Sequence, residues 1–490
     1  MNFLGIDLGA SALKTVLVQQ GGQLLARAQA DIATASPEPG WREQNPDDWL
    51  TALETALGRL FLDTNVTQDD IAAISITAGA HIGVICGEDH TPLRPAILWS
   101  DQRAANEVTD LKMREEAIIK ASLHQPNATW TLAHLRWLWA HDYNTLKQAR
   151  RLSPAKDWLR VQLTGEWATD LSDAVGLQLY DVTQAKWSLP LCALAGILPD
   201  ILPGIKPPHA SGGTVTSTAA RRFGLKAGTP VYIGGIDTST ELFNTGITNQ
   251  ETGCLKLASA GVVSVLTDTP DPMPPISCYP QSHGAGWYYA SGMNSCAPAL
   301  HWFRQTYLPD LSMEEMQHAA TTAKPGANGV VFHPYINGER APHWRPDLKP
   351  ALNGADTADK NDLARAAYEG VGYALLDVRR NLEQLLKREI RGLVALGGGA
   401  QNSFWMQMMS DIQGMVIKVP EHTDAAYGAA LQAGLAHGAF PNAKVLGNMI
   451  TYAASYEPHP EQHEIYLDRF ADYDHLRRRM TDTPAAPAPS

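Results

Sequence analysis

The sequence of 490 residues lacks the features of several simple protein classes. Its five cysteines are scattered, odd in number and without a Cys-x-x-Cys pair, which argues against a disulfide framework and a zinc site. No uninterrupted apolar run reaches about 18 residues, so we expect no membrane span. The first residues carry no basic stretch, and Asp7 interrupts their apolar run. We therefore expect no signal peptide and a cytoplasmic protein.

Positive charge is also scarce. The chain has 39 Lys and Arg against 51 Asp and Glu, which gives a net charge of −12. Proteins that bind nucleic acids or anionic membranes carry clustered basic residues, so we expect neither as a partner. No Gly-x-x-x-x-Gly-Lys-Ser/Thr loop is present. The length, with 44% hydrophobic residues, predicts two or more domains with large cores.

A short apolar segment that runs into two glycines and an aspartate is the most informative pattern. Residues 231–233 predict a strand, and Asp237 stands where Thr238 and Ser239 predict the start of a helix. A helix N-terminus favours an ionised carboxylate, the form that accepts a proton from a hydroxyl. The pattern indicates either a general base or a simple helix cap at Asp237.

The N-terminal residues predict a strand, a tight turn around Gly9 and a second strand. Successive free amides in such a turn bind anions, and Ser11 and Lys14 add a hydroxyl and a cation. Asp7 precedes the turn, where a carboxylate can hold Mg²⁺ together with water and phosphate oxygens. The alternative is an ordinary hairpin with a solvated lysine.

Two later segments have similar patterns. Residues 253–266 again predict strand, turn and strand, which indicates a faint internal duplication. Residues 393–402 predict a strand that ends in three consecutive glycines, a pattern that suggests the close approach of a flat ligand. The last residues, from 471 to 490, end in a run of Pro and Ala and are expected to form a mobile tail.

These segments and six further motifs follow one another in an order that resembles the FGGY family of carbohydrate kinases, within the actin and hexokinase ATPase superfamily. The similarity runs from about residue 2 to about residue 470 and is greatest to the xylulokinase branch. The six motifs are residues 41–49, 93–103, 154–159, 164–176, 334–343 and 425–431. The resemblance implies an α/β fold of two ribonuclease H-like domains, a sugar-binding domain over 1–245 and an ATP-binding domain over 246–470, with a cleft between them.

The resemblance also implies a reaction, the transfer of the ATP γ-phosphoryl group to a sugar hydroxyl with Mg²⁺. Asp237 would be the general base and Asp7 would orient the metal. The implied phosphate-binding residues are Gly9, Ser11, Lys14, Ser259 and Gly261, the adenosine-binding residues are Gly398, Gly399 and Asn402, and the sugar-side residues are Ala80, His81, Trp99, Asp101, Arg103 and Thr238. The implied partners are a small sugar and ATP, and the family also suggests a homodimer.

The chain departs from the family pattern on both sides of the cleft. Residues 79–82 are Gly-Ala-His-Ile where the family has Gln-Met-His-Gly, and Thr238 replaces the usual asparagine. A buried sugar hydroxyl without its partner costs about 1–3 kcal/mol, so we predict that D-xylulose is a poor substrate. Ala10 and residues 258–260 also replace hydroxyl residues of the two phosphate turns.

Several alternatives stay open at this point. Ribulose, a deoxyketose, a polyol or a linear dione-like compound could replace xylulose as the substrate. A degenerate kinase would bind sugar or nucleotide without turnover and act as a regulator. His81 and Trp99 are also explained as structural residues, and we interpret Glu339 and Arg340 as an ion pair that holds an interdomain loop.

Overall fold

The structure is a computed structural model that describes residues 1–62 and 64–481. Two large sheets, five two-stranded sheets and seventeen α-helices make up this part of the chain. The strands are β1 Asn2–Leu8, β2 Ala12–Gln19, β3 Leu24–Asp31, β4 Glu43–Gln44, β5 Ile71–Ala78, β6 Gly83–Cys86, β7 Ala96–Ile97, β8 Arg151–Pro154, β9 Ala168–Thr169, β10 Tyr180–Asp181, β11 Lys186–Trp187, β12 Gly204–Ile205, β13 Ser211–Thr214, β14 Pro230–Tyr232, β15 Thr252–Leu257, β16 Gly261–Thr267, β17 Ser277–Pro280, β18 Trp287–Met293, β19 Val331–His333, β20 Ala351–Asn353, β21 Gly392–Leu396, β22 Ile417–Pro420 and β23 Tyr452–Tyr456.

The helices lie between and outside these strands. They are α1 Pro46–Leu62, α2 Ala105–Lys112, α3 Glu115–Ser122, α4 Thr131–His141, α5 Tyr143–Gln148, α6 Ala155–Thr164, α7 Leu171–Gly176, α8 Leu189–Ala195, α9 Ser217–Phe223, α10 Asp237–Asn244, α11 Ala297–Tyr307, α12 Met313–Thr322, α13 Lys360–Leu386, α14 Ser403–Gln413, α15 Ala425–Ala436, α16 Ala443–Gly447 and α17 Pro460–Thr481. No described helix is both long enough and apolar enough to cross a membrane.

The two large sheets repeat one arrangement. The first has the order β13-β14-β5-β1-β2-β3 and the second the order β17-β18-β16-β15-β21-β22-β23. In each, a hairpin (β1–β2 or β15–β16) continues into an antiparallel strand on one side and a parallel strand on the other. The repeated hairpin confirms the internal duplication, and the two sheets confirm the predicted α/β fold.

The first sheet is buried because helices cover both of its faces, as is typical of sheets with parallel strands. On β1, Leu4 and Ile6 belong to the apolar core that includes Trp49 and Leu53 of α1. The opposite face, which carries Phe3, packs against α15.

Helix α15 comes from the second half of the chain but packs on the sheet of the first half. It is buried over residues 425–434, and its contacts with β1 are close. A Cβ atom on Gly5 would lie 1.8 Å from the carbonyl oxygen of Ala426, so only glycine fits at this point. The two halves are therefore joined by a packed helix as well as by the connecting chain.

The expected mobile tail is corrected over residues 471–481, which belong to α17. Tyr473 is fully buried, and its hydroxyl hydrogen-bonds that of Tyr335 at 2.9 Å. The imidazole of His333 lies 3.0 Å from the Tyr473 carbonyl oxygen and stacks on the Tyr473 ring. The run of Pro and Ala misled the prediction because it lies beyond this helix. Residues 482–490 lie outside the described residues.

We expect Gly5→Ala to destabilise the protein by about 3 kcal/mol or more, because the new methyl group meets rigid backbone of α15. The free energy of unfolding, from urea denaturation, measures this loss. Gly58→Ala is the matched control, since its Cβ on α1 would meet no atom within 4 Å. The control is expected to be neutral or stabilising. Equal effects of the two substitutions would contradict the close packing of α15 on β1.

Candidate active site

A cavity of about 420 Å³ opens between the two halves. Residues from both halves line this cavity, and several of them are aromatic or histidine residues. They include Gly79, Ala80, His81, Trp99, Trp130, Asp237, Thr238, Glu241, Lys256, Ser259, Ala260, Tyr279, Tyr288, Gly292, Arg340 and Trp344.

Asp237 is the first residue of α10 and lies half-buried on the cavity wall. The backbone before it is held on both sides. The Ile236 N–H donates to Ser172 Oγ at 3.0 Å, and Thr77 Oγ1 donates to the Gly235 carbonyl at 2.8 Å. The Ser172 hydroxyl in turn donates to Asp170 Oδ2 at 2.5 Å. The loop therefore fixes the position of the Asp237 carboxylate.

The environment of Asp237 raises the pKa of its carboxyl group to about 6. Burial is the main cause, and the negative charge of Glu241 adds to it. Lys256 and the hydrogen bond from the Thr238 N–H, at 2.6 Å, act in the opposite direction. A carboxylate with a pKa near 6 is ionised at neutral pH yet basic enough to accept a proton, which suits a general base.

Asp7 lies at the end of β1, deep beside the same acidic groups. Its carboxyl group has a pKa well above the usual range because it is buried and because Asp237, Asp424 and Glu241 are near; Lys14 opposes this shift. Lys14 pairs with Asp7 across the β1–β2 hairpin, and its Nζ lies 4.0 Å from Asp424 Oδ2. The negative charge of these carboxylates exceeds the positive charge that Lys14 places beside them.

The described residues contain no set of three or more His, Cys, Asp or Glu side chains placed to hold a metal ion. A protein-only metal site is therefore absent from that part of the chain. Mg²⁺ commonly binds through one or two carboxylates with water and substrate phosphates, and Asp7 suits that mode.

The turns after β1 and β15 both present unpaired amides. The N–H groups of Ala10 and Ser11 donate to no backbone acceptor among the described residues, and the same holds for Ser259 and Ala260. Ser259 lines the cavity, whereas Gly9, Ser11 and Lys14 lie outside its lining.

Gly261 is not among the residues that line the cavity, and its assignment as a phosphate residue stays a prediction. It is buried in β16, where a Cβ would lie 3.0 Å from both Leu375 and Met293. The glycine at this position serves packing of the second sheet.

His81 joins the two halves across the sugar side. Its Nδ1 lies 2.6 Å from the Gly176 carbonyl and its Nε2 lies 3.1 Å from the Tyr279 hydroxyl, while the ring stacks on Trp130. Because Gly176 offers only an acceptor, Nδ1 carries the proton and Nε2 accepts from Tyr279. Burial lowers the pKa of His81 to about 4, so the ring is neutral. Both ring nitrogens have protein partners, which supports the structural role, and a contact of His81 with the sugar stays a prediction.

Thr238 and Trp99 line the cavity. The Thr238 hydroxyl is hydrogen-bonded to that of Tyr288 at 2.8 Å, so part of its bonding capacity is already used. Trp99 is 46% exposed at the cavity wall, which rules out the core alternative. A Cβ on Gly79 would lie 3.3 Å from Trp99 Cδ1, so the small residue at 79 makes room for the indole.

Asp101 and Arg103 are not among the residues that line the cavity, and their assignment to the sugar side stays a prediction. Both are buried and form an ion pair at 2.8 Å. Arg103 also pairs with Glu43 at 2.6 Å and lies 3.9 Å above the Trp41 ring. These bonds support the loop that carries Trp99, and they act from behind the cavity wall.

The three proposed adenosine residues follow β21 and lie outside the cavity lining. A Cβ on Gly399 would lie 2.7 Å from the Trp405 ring, so this glycine serves packing. Asn402 caps α14 and donates to Gln317 Oε1 at 2.9 Å, so its amide is engaged. Gly398 alone of the three faces open space, since its Cβ would meet no atom within 4 Å.

Four charged residues of the site were missed by the sequence reasoning: Glu241, Lys256, Arg340 and Asp424. Asp424 caps α15, where its side chain accepts the Ala426 N–H at 3.0 Å. An aspartate before an alanine-rich helix was a usable signal of that cap, but its proximity to Asp7 depends on the long-range packing of α15.

The predicted ion pair between Glu339 and Arg340 is wrong. The Glu339 carboxylate accepts two backbone N–H groups, from Arg340 at 2.6 Å and from Asn294 at 3.3 Å. The Arg340 guanidinium instead donates from Nε to the Gly292 carbonyl at 3.1 Å.

Two sheets of the same arrangement, with Asp237 and the turn at residues 258–260 on the wall of the cavity between them, suit a phosphotransferase that acts on a small hydroxyl compound. Comparison with known proteins agrees with this class. The models of the N-terminal and C-terminal domains of the FGGY family of carbohydrate kinases match residues 2–244 and 258–437.

Individual relatives match over nearly the whole chain. A xylulose kinase from Bacillus subtilis is 30% identical over 99% of this chain and 98% of its own. A gluconokinase from Bacillus licheniformis is 26% identical over 97% and 96%. The crystal structure of a xyloylose kinase from Brucella ovis superposes with a TM-score of 0.91, at 25% identity over 98% of this chain and 100% of its own. The chain belongs to the FGGY family of carbohydrate kinases, and its substrates are a sugar and ATP.

We expect Ser172→Ala to lower kcat by about tenfold to a hundredfold, because the Ile236 N–H loses its acceptor and Asp237 shifts from its position. The KM for sugar should change by less than about threefold. Steady-state kinetics with thermal unfolding measure both effects. Ser188→Ala is the matched control, since it also removes a buried hydroxyl that accepts one backbone N–H, at the start of α8. If both variants lose stability but keep kcat, Ser172 does not position Asp237.

Proposed function

We propose that the chain transfers the γ-phosphoryl group of ATP to a hydroxyl of a ketopentose or a related small sugar, with Asp237 as the general base. The observation that supports this most strongly is the position of Asp237. Its carboxylate has a pKa of about 6 and faces a cavity whose other walls are an aromatic sugar-sized pocket and an amide-bearing turn.

Mg²⁺ fits the residues around Asp7. Asp7 lies near three further carboxylates, Asp237, Asp424 and Glu241, whose negative charge favours a cation at this position. We propose that Asp7 holds the ion through water; bound with phosphate oxygens, Mg²⁺ would offset the charge of the nucleotide.

The residues of the chain have distinct roles in this proposal. Lys14 and the free amides of the two turns hold phosphate oxygens. Asp237 accepts the proton of the attacking hydroxyl as the bond to the phosphorus atom forms. Approach of the two halves would exclude water, which would otherwise accept the phosphoryl group. Residues 1–245 would bind the sugar, and residues 246–470, with Gly398, would bind the nucleotide.

The sugar pocket supports the prediction that D-xylulose is a poor substrate. Thr238 shares its hydroxyl with Tyr288, and Ala80 offers no polar atom. Two substitutions would restore residues of the family pattern, Thr238→Asn and Gly79→Gln. A side chain at residue 79 would crowd Trp99, because its Cβ would lie 3.3 Å from Trp99 Cδ1.

A screen of ATP turnover over pentuloses, hexuloses, aldonates and polyols tests the proposed function. We expect a ketopentose or a related small sugar to give a kcat/KM above about 10⁴ M⁻¹s⁻¹. A value that high for D-xylulose would contradict the interpretation of Thr238 and Ala80 but would keep the kinase. Sugar or nucleotide binding without turnover on any member would favour the degenerate regulator.

We expect Asp237→Asn to lower kcat by about 10²- to 10⁴-fold while the sugar still binds. For the unsubstituted protein, kcat/KM should fall about tenfold per pH unit below pH 6, because protonation of a base with a pKa near 6 removes the active form. Retention of more than a tenth of kcat by the variant, or a flat profile between pH 5 and pH 7, would show that Asp237 is not the base.

A further inference from the structure

Arg340 is a positive charge on the cavity wall that has no carboxylate partner among the described residues. The other cations of the site do have one. Lys256 forms an ion pair with Glu241 at 2.5 Å, and Lys14 lies 4.0 Å from Asp424. The Arg340 side chain lines the same cavity as Asp237 and is partly exposed to it.

The backbone anchors this guanidinium beside the second amide-bearing turn. Arg340 Nε donates to the Gly292 carbonyl at 3.1 Å, and the Ala341 N–H donates to the same oxygen at 3.2 Å. Gly292 pairs with Val262, the second residue after the turn at residues 258–260. The two terminal nitrogens of Arg340 donate to no acceptor within the part of the chain that the structure describes.

The adjacent acid, Glu339, forms no ion pair with Arg340 within the described residues, although its charge acts on the guanidinium. Its carboxylate accepts the backbone N–H groups of Arg340 and Asn294, and burial raises its pKa to about 8. The guanidinium remains available for an anion that enters the cavity.

Two anions are chemically plausible, a phosphoryl group or a carboxylate of an acidic sugar, and the position of Arg340 favours the first. Thr238, on the sugar side, contacts Tyr288, which lies four residues before Gly292 on β18. Four residues of strand span about 13 Å, so the backbone anchor of Arg340 lies at the end of β18 beside the turn at residues 258–260. From this anchor the guanidinium charge also acts on the hydroxyl of Tyr279, so it lies between the turn and the sugar side.

We propose that Arg340 is a catalytic residue that contacts the γ-phosphoryl group during its transfer. The inference rests on the proposed kinase function. In that step the bond from phosphorus to the ADP oxygen breaks, a bond to the sugar oxygen forms, and the hydroxyl proton goes to Asp237. Arg340 donates hydrogen bonds to the equatorial phosphoryl oxygens, which carry the charge in the transition state. The planar guanidinium, with its parallel N–H groups, suits such an anion.

The test compares Arg340→Gln and Arg340→Lys with the control Arg391→Gln, which removes an exposed arginine that pairs with Glu251 on the surface. The sugar is the best substrate from the screen. We expect Arg340→Gln to lower kcat by about 10²- to 10³-fold with the KM for sugar changed less than about threefold. Arg340→Lys should recover part of the loss because it keeps the charge, and added guanidinium ion should partly restore Arg340→Gln.

A binding measurement distinguishes contact of Arg340 with the transferring phosphoryl group from a purely structural role. ADP with fluoroaluminate and sugar mimics the transferring phosphoryl group, and its binding should weaken in Arg340→Gln about as much as kcat falls, while binding of ADP alone stays unchanged. The proposal would be overturned if kcat were unchanged in both variants. It would also be overturned if the KM for sugar rose more than tenfold while kcat was retained, and that result would show that Arg340 binds the sugar. If the unsubstituted protein phosphorylates no sugar, the proposed function itself fails and this inference fails with it.

Discussion

The central constraint in this structure is the crowding of carboxylates where the two halves meet. Burial raises the pKa of Asp7 well above its usual range, since an ionised carboxyl group loses the stabilisation of water. The negative charges of Asp237, Asp424 and Glu241 raise it further. Closely spaced buried carboxylates do not stabilise the folded protein. A cation that enters the site with a phosphorylated substrate would offset their negative charge.

Three elements must meet for this cluster to exist. The end of β1 brings Asp7, the start of α10 brings Asp237, and the cap of α15 brings Asp424. The packing of α15 on the first sheet therefore contributes to the core and also positions a residue of the site. It places an acid from the second half beside the hairpin of the first, and Gly5 permits the close approach that this requires.

Local sequence patterns predicted the strands, the turns and the position of Asp237, because each depends on neighbouring residues. The same patterns do not reveal the distant partner of a side chain. Arg103 is bound by Glu43, sixty residues away, and Asn402 by Gln317, eighty-five residues away. The role of Arg340 also lay outside the reach of the sequence, because its guanidinium is anchored by the Gly292 carbonyl and not by the adjacent Glu339.

The stability of Asp7→Asn tests most directly whether the cluster is held at an energetic cost. A carboxyl group whose pKa is raised on folding binds its proton more tightly in the folded state, so its ionisation destabilises the fold as pH rises above about 4. We predict that Asp7→Asn, without nucleotide, has a higher Tm than the unsubstituted protein at pH 8 and a smaller gain at pH 5, while kcat falls more than tenfold. Asp31→Asn, at an exposed site, is the control. An unchanged or lower Tm of Asp7→Asn at pH 8 would contradict the account.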